Sequence, residues 1–174
     1  DLLASVGGDD RRKMLNKAET LKKEPLLDAK TILGSGYYSE YRTDDARLTI
    51  ELLKKASEFY KKAVNEDPLL DKAWMSLTDV YFLIEDYTKS LYYMKKVLSI
   101  DEFNPVYWRK YGEINIKLSF FEESIVAFNR CLSLDDKSLE IWLALVDGYY
   151  YLGDYEESLN TLIKAKNYYN AIAE

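Results

Sequence analysis

The chain contains no histidine and a single cysteine, Cys131. The first absence removes the commonest general base and the commonest neutral metal ligand. The second excludes an internal disulfide. Three prolines and seven glycines in 174 residues are few enough to leave long helices uninterrupted. No apolar run approaches the roughly 18 residues that a membrane-spanning helix needs. Positive excess is lacking as well. The net charge is -6, and because acidic and basic side chains balance over residues 1–70, the whole excess falls on residues 71–174. Such a surface repels phosphates, which argues against nucleic acid and anionic membrane as partners. The sequence starts at Asp1, as a processed chain or a fragment would. A targeting segment could precede it, so the compartment is left open with a leaning to the cytoplasm.

What is present is a repeat. Trp74, Trp108 and Trp142, all the tryptophans in the chain, stand 34 residues apart. The same step relates Tyr87, Phe121 and Tyr155, and also Ser90, Ser124 and Ser158. It relates Leu77, Tyr111 and Leu145, then Ile84, Leu118 and Leu152. Met94, Phe128 and Leu162 follow it, as do Val97, Cys131 and Ala165. Each unit reads as two helices. Trp74, Leu77, Tyr81 and Ile84 form one stripe at helical spacing, and Tyr87, Leu91, Met94 and Leu98 form the next. Breaks fall at Glu85-Asp86, Ser119 and Gly153-Asp154. Ser119 and Asp154 each precede a glutamate by three, a capping-box spacing, and Asn104-Pro105 pairs a cap residue with proline at the first helical position.

These residues resemble the tetratricopeptide repeat, a 34-residue helix–turn–helix unit. In that register the repeats are 71–104, 105–138 and 139–172, with a C-terminal end to residue 174. The large residue at position 4 is the tryptophan. The small one at position 8 is Thr78, Gly112 and, less well, Val146. The departures are serine for alanine at position 20, an acid for proline at position 32, and Asn115 at a normally aromatic site. The buried amide needs a hydrogen-bond partner. Residues 37–70 match only in their second half, through Ala56, Tyr60, Ala63 and Pro68. They read as a degenerate repeat with one long helix over about 44–66. Residues 1–36 read as a flanking segment. Met14, Leu15, Ala18 and Leu21 make a short amphipathic helix ended by Pro25, 26–33 form a second, Gly34-Ser35-Gly36 is a loop, and residues 1–8 fray.

The resemblance implies an all-α fold, a right-handed α-solenoid of stacked antiparallel hairpins. It also implies an adaptor or scaffold that binds a peptide or helix in its concave groove, without catalysis or cofactor. In such arrays positions 2, 5, 6, 9, 12 and 13 of the first helices commonly face the ligand. Carried over, position 5 is Met75, Arg109 and Leu143, position 9 is Asp79, Glu113 and Asp147, and position 12 is Phe82, Ile116 and Tyr150. The groove is then apolar with an acidic stripe, interrupted by Lys110 and Lys117, and suits a basic or amphipathic, partly helical segment. Asp79 stands where the carboxylate-clamping arrays use asparagine, which disfavours acidic C-termini.

The other candidate sites read as structure. Indoles every 34 residues serve packing between helix pairs. Cys131 shares its position with Val97 and Ala165, so it reads as core. The pairs Glu122-Glu123 and Glu156-Glu157 open helices, where negative charge suits the dipole, and adjacent side chains diverge around a helix instead of converging on an ion. Gly34-Ser35-Gly36 lacks the Gly-Lys-Ser/Thr ending of a phosphate loop. Leu159, Leu162 and Ile163, with Tyr168 and Tyr169 beyond, leave an apolar face on the last helix. That face admits a homo-oligomer, so a structural, self-associating role is the alternative.

Overall fold

The computed structural model describes residues 12, 13, 16, 17, 19, 20, 42–134 and 137–173. The expected stripe of Met14, Leu15, Ala18 and Leu21, the end at Pro25, the second short helix, the glycine loop and the frayed start all lie outside the described residues. The structure is all-α, and no strand occurs among the described residues. Residues 12, 13, 16, 17, 19 and 20 are helical, and the helices with described bounds are α1 (Arg42–Glu66), α2 (Asp71–Leu83), α3 (Tyr87–Ile100), α4 (Pro105–Lys117), α5 (Phe121–Ser133), α6 (Leu139–Leu152) and α7 (Tyr155–Ala173). Two compact units, Asp1–Tyr93 and Met94–Glu174, divide within α3.

In the first unit, Leu53, Ala56, Tyr60, Ala63 and Val64 of α1 pack on Ala73, Leu77, Val80 and Tyr81 of α2. The alanines at 56, 63 and 73 are fully buried and let the helices approach closely. Helix α1 runs 25 residues without a break because nothing in it offers a left-handed residue or a proline. In the second unit, Ile125, Phe128 and Cys131 of α5 pack on Ile141 and Leu145 of α6. Helix α7 buries Ser158, Thr161 and Ala165, and the Tyr169 hydroxyl donates 2.8 Å to the Lys137 carbonyl.

The hairpin turns share one device. Glu85, Ser119 and Gly153, again 34 apart, take positive φ values of 63°, 61° and 86°. The next amide donates back to the first helix each time: Asp86 N to Tyr81 O, Phe120 N to Asn115 O and Asp154 N to Tyr149 O, at 2.9, 2.8 and 2.9 Å. This is the Schellman closure, which satisfies carbonyls that a helix end would otherwise orphan. The capping-box expectation at Ser119 is therefore corrected. Ser119 ends α4 in the left-handed region, and the N-cap of α5 is Phe120, whose side chain makes no capping bond. A serine three residues before a glutamate fits either role, and closing the hairpin decides it. Asp154 does cap α7, accepting from Glu157 N at 3.1 Å, and Asn104 caps α4 through Val106 N at 3.0 Å.

Indole placement repeats in the first two units, while Trp142 Nε1 is buried without a hydrogen-bond partner. Trp74 Nε1 donates 2.8 Å to Pro68 O and Trp108 Nε1 donates 2.7 Å to Glu102 O, each six residues upstream. Serine at position 20 ties hairpins together: Ser90 Oγ donates to Thr78 O and Ser158 Oγ to Val146 O, both at 2.9 Å. Ser124 instead donates locally to Phe121 O at 2.7 Å. The carbonyl at the matching site belongs to Gly112, against which the Phe128 ring is packed. Cys131 is fully buried, and its thiol lies 3.4 Å from the Pro105 carbonyl.

Candidate functional site

The candidate residues sit on the first helix of each hairpin. On α2, Met75, Asp79 and Phe82 follow one another at spacings of four and three, and all three are half-buried. The Phe82 ring meets Tyr87 edge-on at 5.3 Å. On α4, Arg109, Glu113 and Ile116 are also half-buried. Lys110 Nζ stands 3.8 Å from the Glu113 carboxylate, and Arg109 reaches Glu140 of α6 at 3.8 Å. Exposed pairs of that length contribute at most about 1 kcal/mol, so both carboxylates stay open to a stronger cationic partner. On α6, Leu143, Asp147 and Tyr150 are exposed. Tyr150 is 57% exposed, with Tyr155 against its ring at 5.4 Å.

Two contributors were missed in the sequence. Glu140 occupies position 2 of its repeat, so the pattern that named its neighbours contained it, but its pairing with Arg109 depends on how α6 sits on α4. The other is Glu19. Tyr60 donates 2.7 Å and Ser76 Oγ 3.2 Å to the same Glu19 oxygen. Ser76 is position 6 of its repeat, so an inner position is filled by a carboxylate from the chain's own N-terminal stretch. No local spacing could show a contact 57 residues long in sequence. Lys17 lies over the Phe59 ring at 4.9 Å and adds to the same docking. Burial, chiefly, and then the Glu19 bond push the Tyr60 phenol well above its ordinary value.

Asn115 is 1% exposed. Its amide donates 2.8 Å to Tyr111 O, while its Oδ1 is buried without a partner. Among the described residues no group of three or more His, Cys, Asp or Glu could hold a metal ion. No helix among them is long and apolar enough to cross a membrane.

Solved helical-repeat proteins superpose on these hairpins. A crystal structure of MamA matches 94% of this chain and 86% of its own at a TM-score of 0.65 and 19% identity. YrrB, described as a TPR protein with an unusual peptide-binding site, matches 80% of this chain and 73% of its own at 0.60 and 20%. The first TPR of Spaghetti (RPAP3), bound to the HSP90 peptide SRMEEVD, matches 79% and 94% at 0.57 and 16%. The fold is that of the tetratricopeptide repeat. At these identities the tetratricopeptide likeness is one of fold. No family model matches the sequence. Two curated relatives share short stretches of sequence. Aerobic glycerol-3-phosphate dehydrogenase of Bacillus subtilis (strain 168) is 48% identical over 86 residues, which is 49% of this chain and 16% of the relative. The enzyme of that name from Staphylococcus epidermidis is 62% identical over 58 residues, 33% and 10% respectively. The chain thus spans a sixth or less of the length of these curated relatives.

Proposed function

We propose that this tetratricopeptide-repeat chain is a non-catalytic interaction module, an adaptor or scaffold. The first helices of its repeats receive a basic or amphipathic, partly helical segment of another protein. The observation that carries this reading is the recurrence, at one position of three successive repeats, of Asp79, Glu113 and Asp147. Asp79 and Asp147 are each flanked by apolar side chains that the fold leaves half-buried or exposed, and Glu113 stands between Arg109 and Ile116. Apolar surface left open to solvent marks interaction faces, and carboxylates beside it select cations over anions. YrrB and Spaghetti, whose published descriptions name a bound peptide or a peptide-binding site, lend support by analogy of fold. An acidic peptide such as the SRMEEVD that Spaghetti holds fits poorly, because Asp79 would face it with like charge.

The likeness to the dehydrogenases supports no catalytic reading, since a sixth of an enzyme's length at most carries no assembled active site with it. The test uses a synthetic amphipathic leucine–lysine helix as probe. The wild-type chain binds it, and the triple variant with Asp79, Glu113 and Asp147 all changed to lysine loses that binding while keeping its helical circular dichroism. Equal affinity in the two proteins rejects the groove. Self-association through α7 is the second reading, favoured by the exposure of Leu159, Leu162 and Ile163 at 59%, 45% and 48%. Light scattering over a range of concentration decides it.

A further inference from the structure

A second concave surface lies in the first unit, between α1 and the hairpin of α2 and α3. It is a groove of about 570 Å³. Apolar side chains line both walls, Ile50 from α1, Tyr81 and Ile84 from the end of α2. Tyr81 stacks on Tyr93 at 5.3 Å, which holds that wall in place. Lys54 and Lys55 of α1 and Lys89 of α3 stand around these residues. Ile50, Lys54 and Ser57 follow one another at four and three along α1, so Lys54 shares a helix face with apolar surface.

The charge balance of this groove is not that of the chain. The two carboxylates that line it are already matched, Glu58 by Lys61 at 2.9 Å and Asp86 by Lys89 at 2.7 Å. Lys61 and Lys89 also lie over the Tyr81 ring, at 5.8 and 5.3 Å. Ser57 spends its hydroxyl on the Lys54 carbonyl at 2.7 Å. That leaves Lys54 and Lys55, whose ammonium groups pair with no carboxylate among the described residues. In a chain of net charge -6, the groove is a local surplus of positive charge beside apolar surface.

We infer that this groove docks an acidic, amphipathic segment of a partner protein. Aliphatic side chains of that segment rest on Ile50, Tyr81 and Ile84. Its carboxylates meet Lys54 and Lys55, and a third shares Lys89 with Asp86. An exposed pair such as Lys89 with Asp86 holds at most about 1 kcal/mol, so Lys89 can turn to a second carboxylate. The class of ligand follows from the chemistry of the walls. Ammonium groups set among apolar residues act as separate point charges, and they suit carboxylates carried on separate side chains with aliphatic ones between them. A nucleic acid or an anionic membrane would spread over a wider area and meet the acidic remainder of the chain. Acidic and basic side chains balance over residues 1–41, so the chain's own N-terminal stretch brings no net charge to match. None of Met75, Asp79 and Phe82 lines this groove. The docking goes beyond the binding proposed for the inner positions, and either can fail alone.

The test uses the full chain and two fluorescein-labelled synthetic peptides. One is an amphipathic leucine–glutamate helix, the other a serine–glutamate peptide of equal length and charge. Fluorescence anisotropy is expected to show saturable binding of the leucine–glutamate peptide. Changing Lys54 and Lys55 together to glutamate should weaken it about tenfold or more, since repulsion replaces two attractions. The serine–glutamate peptide should bind about tenfold more weakly than its leucine counterpart, because it brings nothing to the apolar walls. Both lysines are exposed, so the double variant should keep its helical circular dichroism. Should helicity fall, Lys54→Ala with Lys55→Ala takes its place. Absence of binding, equal affinity in the wild type and the lysine variants, or equal affinity for the two peptides overturns the proposal. So does concentration-dependent self-association of the unmodified chain that the lysine changes abolish, since the occupant is then a second copy.

Discussion

A Cβ placed on Gly112 would lie 2.6 Å from Cε1 of Phe128. The ring cannot retreat, because Phe128 is 1% exposed. Gly112→Ala therefore sets a helix-propensity gain of about 1 kcal/mol against an overpacking cost of about 1–3 kcal/mol. The rigid surroundings let the cost win. Urea unfolding should show a net loss for Gly112→Ala, and much of that loss should disappear when Phe128→Leu is added. Equal costs in the two backgrounds would show that the ring is not what forbids the methyl.

The three left-handed hairpin residues make a second prediction. Glu85 and Ser119 hold φ near +60° with a Cβ in place, whereas Gly153 does so without one. Glu85→Gly and Ser119→Gly should each raise stability, and Gly153→Ala should lower it, by up to about 1–2 kcal/mol. Thermal unfolding of the three single variants gives the signs. Nothing crowds Gly153 within 4 Å, so a loss there reads as backbone strain alone.

These turns also show how far the sequence could be read. The 34-residue step located every hairpin break, because a repeat must close its turn at the same place each time. It did not tell that Ser119 is the turn residue and not a cap, since both roles accept serine and only the backbone dihedral separates them. The step likewise placed Asp79, Glu113 and Asp147 on equivalent helical positions. It was blind to the Arg109–Glu140 contact and to Glu19 over Ser76. Such contacts depend on side-chain reach between elements, which periodicity within one element does not carry.

Asn115 supplies the third prediction. Its Oδ1 is buried without a hydrogen-bond partner, and its amide donates only to Tyr111 O one turn back. An unpaired buried polar atom costs about 1–3 kcal/mol. Asn115→Leu removes that cost with a side chain of similar length, so chemical denaturation should show a more stable protein. A less stable variant would mean that the site is shaped for the amide, and that the Oδ1 has a role the isolated chain does not reveal.

The Tyr60 hydroxyl, held by Glu19 and set under a fully buried ring, ties stability to pH at the alkaline end. Burial, the Glu19 bond and the charges of Glu19 and Asp79 all disfavour the phenolate, and the folded pKa lies well above the ordinary 10.0. The unfolded chain gives up this proton near that ordinary value while the folded chain keeps it. Above it the unfolded state binds fewer protons, and the slope of stability with pH is negative. This contribution is complete below pH 10 and is lost as the pH climbs beyond it. Tyr60→Phe should flatten that part of the curve, at the expense of the bond to Glu19, which costs about 1.5–3 kcal/mol at neutral pH as a hydrogen bond to a charged group. Glu19→Gln separates the two effects. It keeps an acceptor for the hydroxyl and removes the charge, so the alkaline loss should shrink without vanishing. Melting temperatures of the three proteins between pH 7 and pH 11 measure this. If Tyr60→Phe falls off above pH 10 as steeply as the wild type does, the phenol is not the titrating group, and the contact of the N-terminal stretch with α1 and α2 carries no proton linkage.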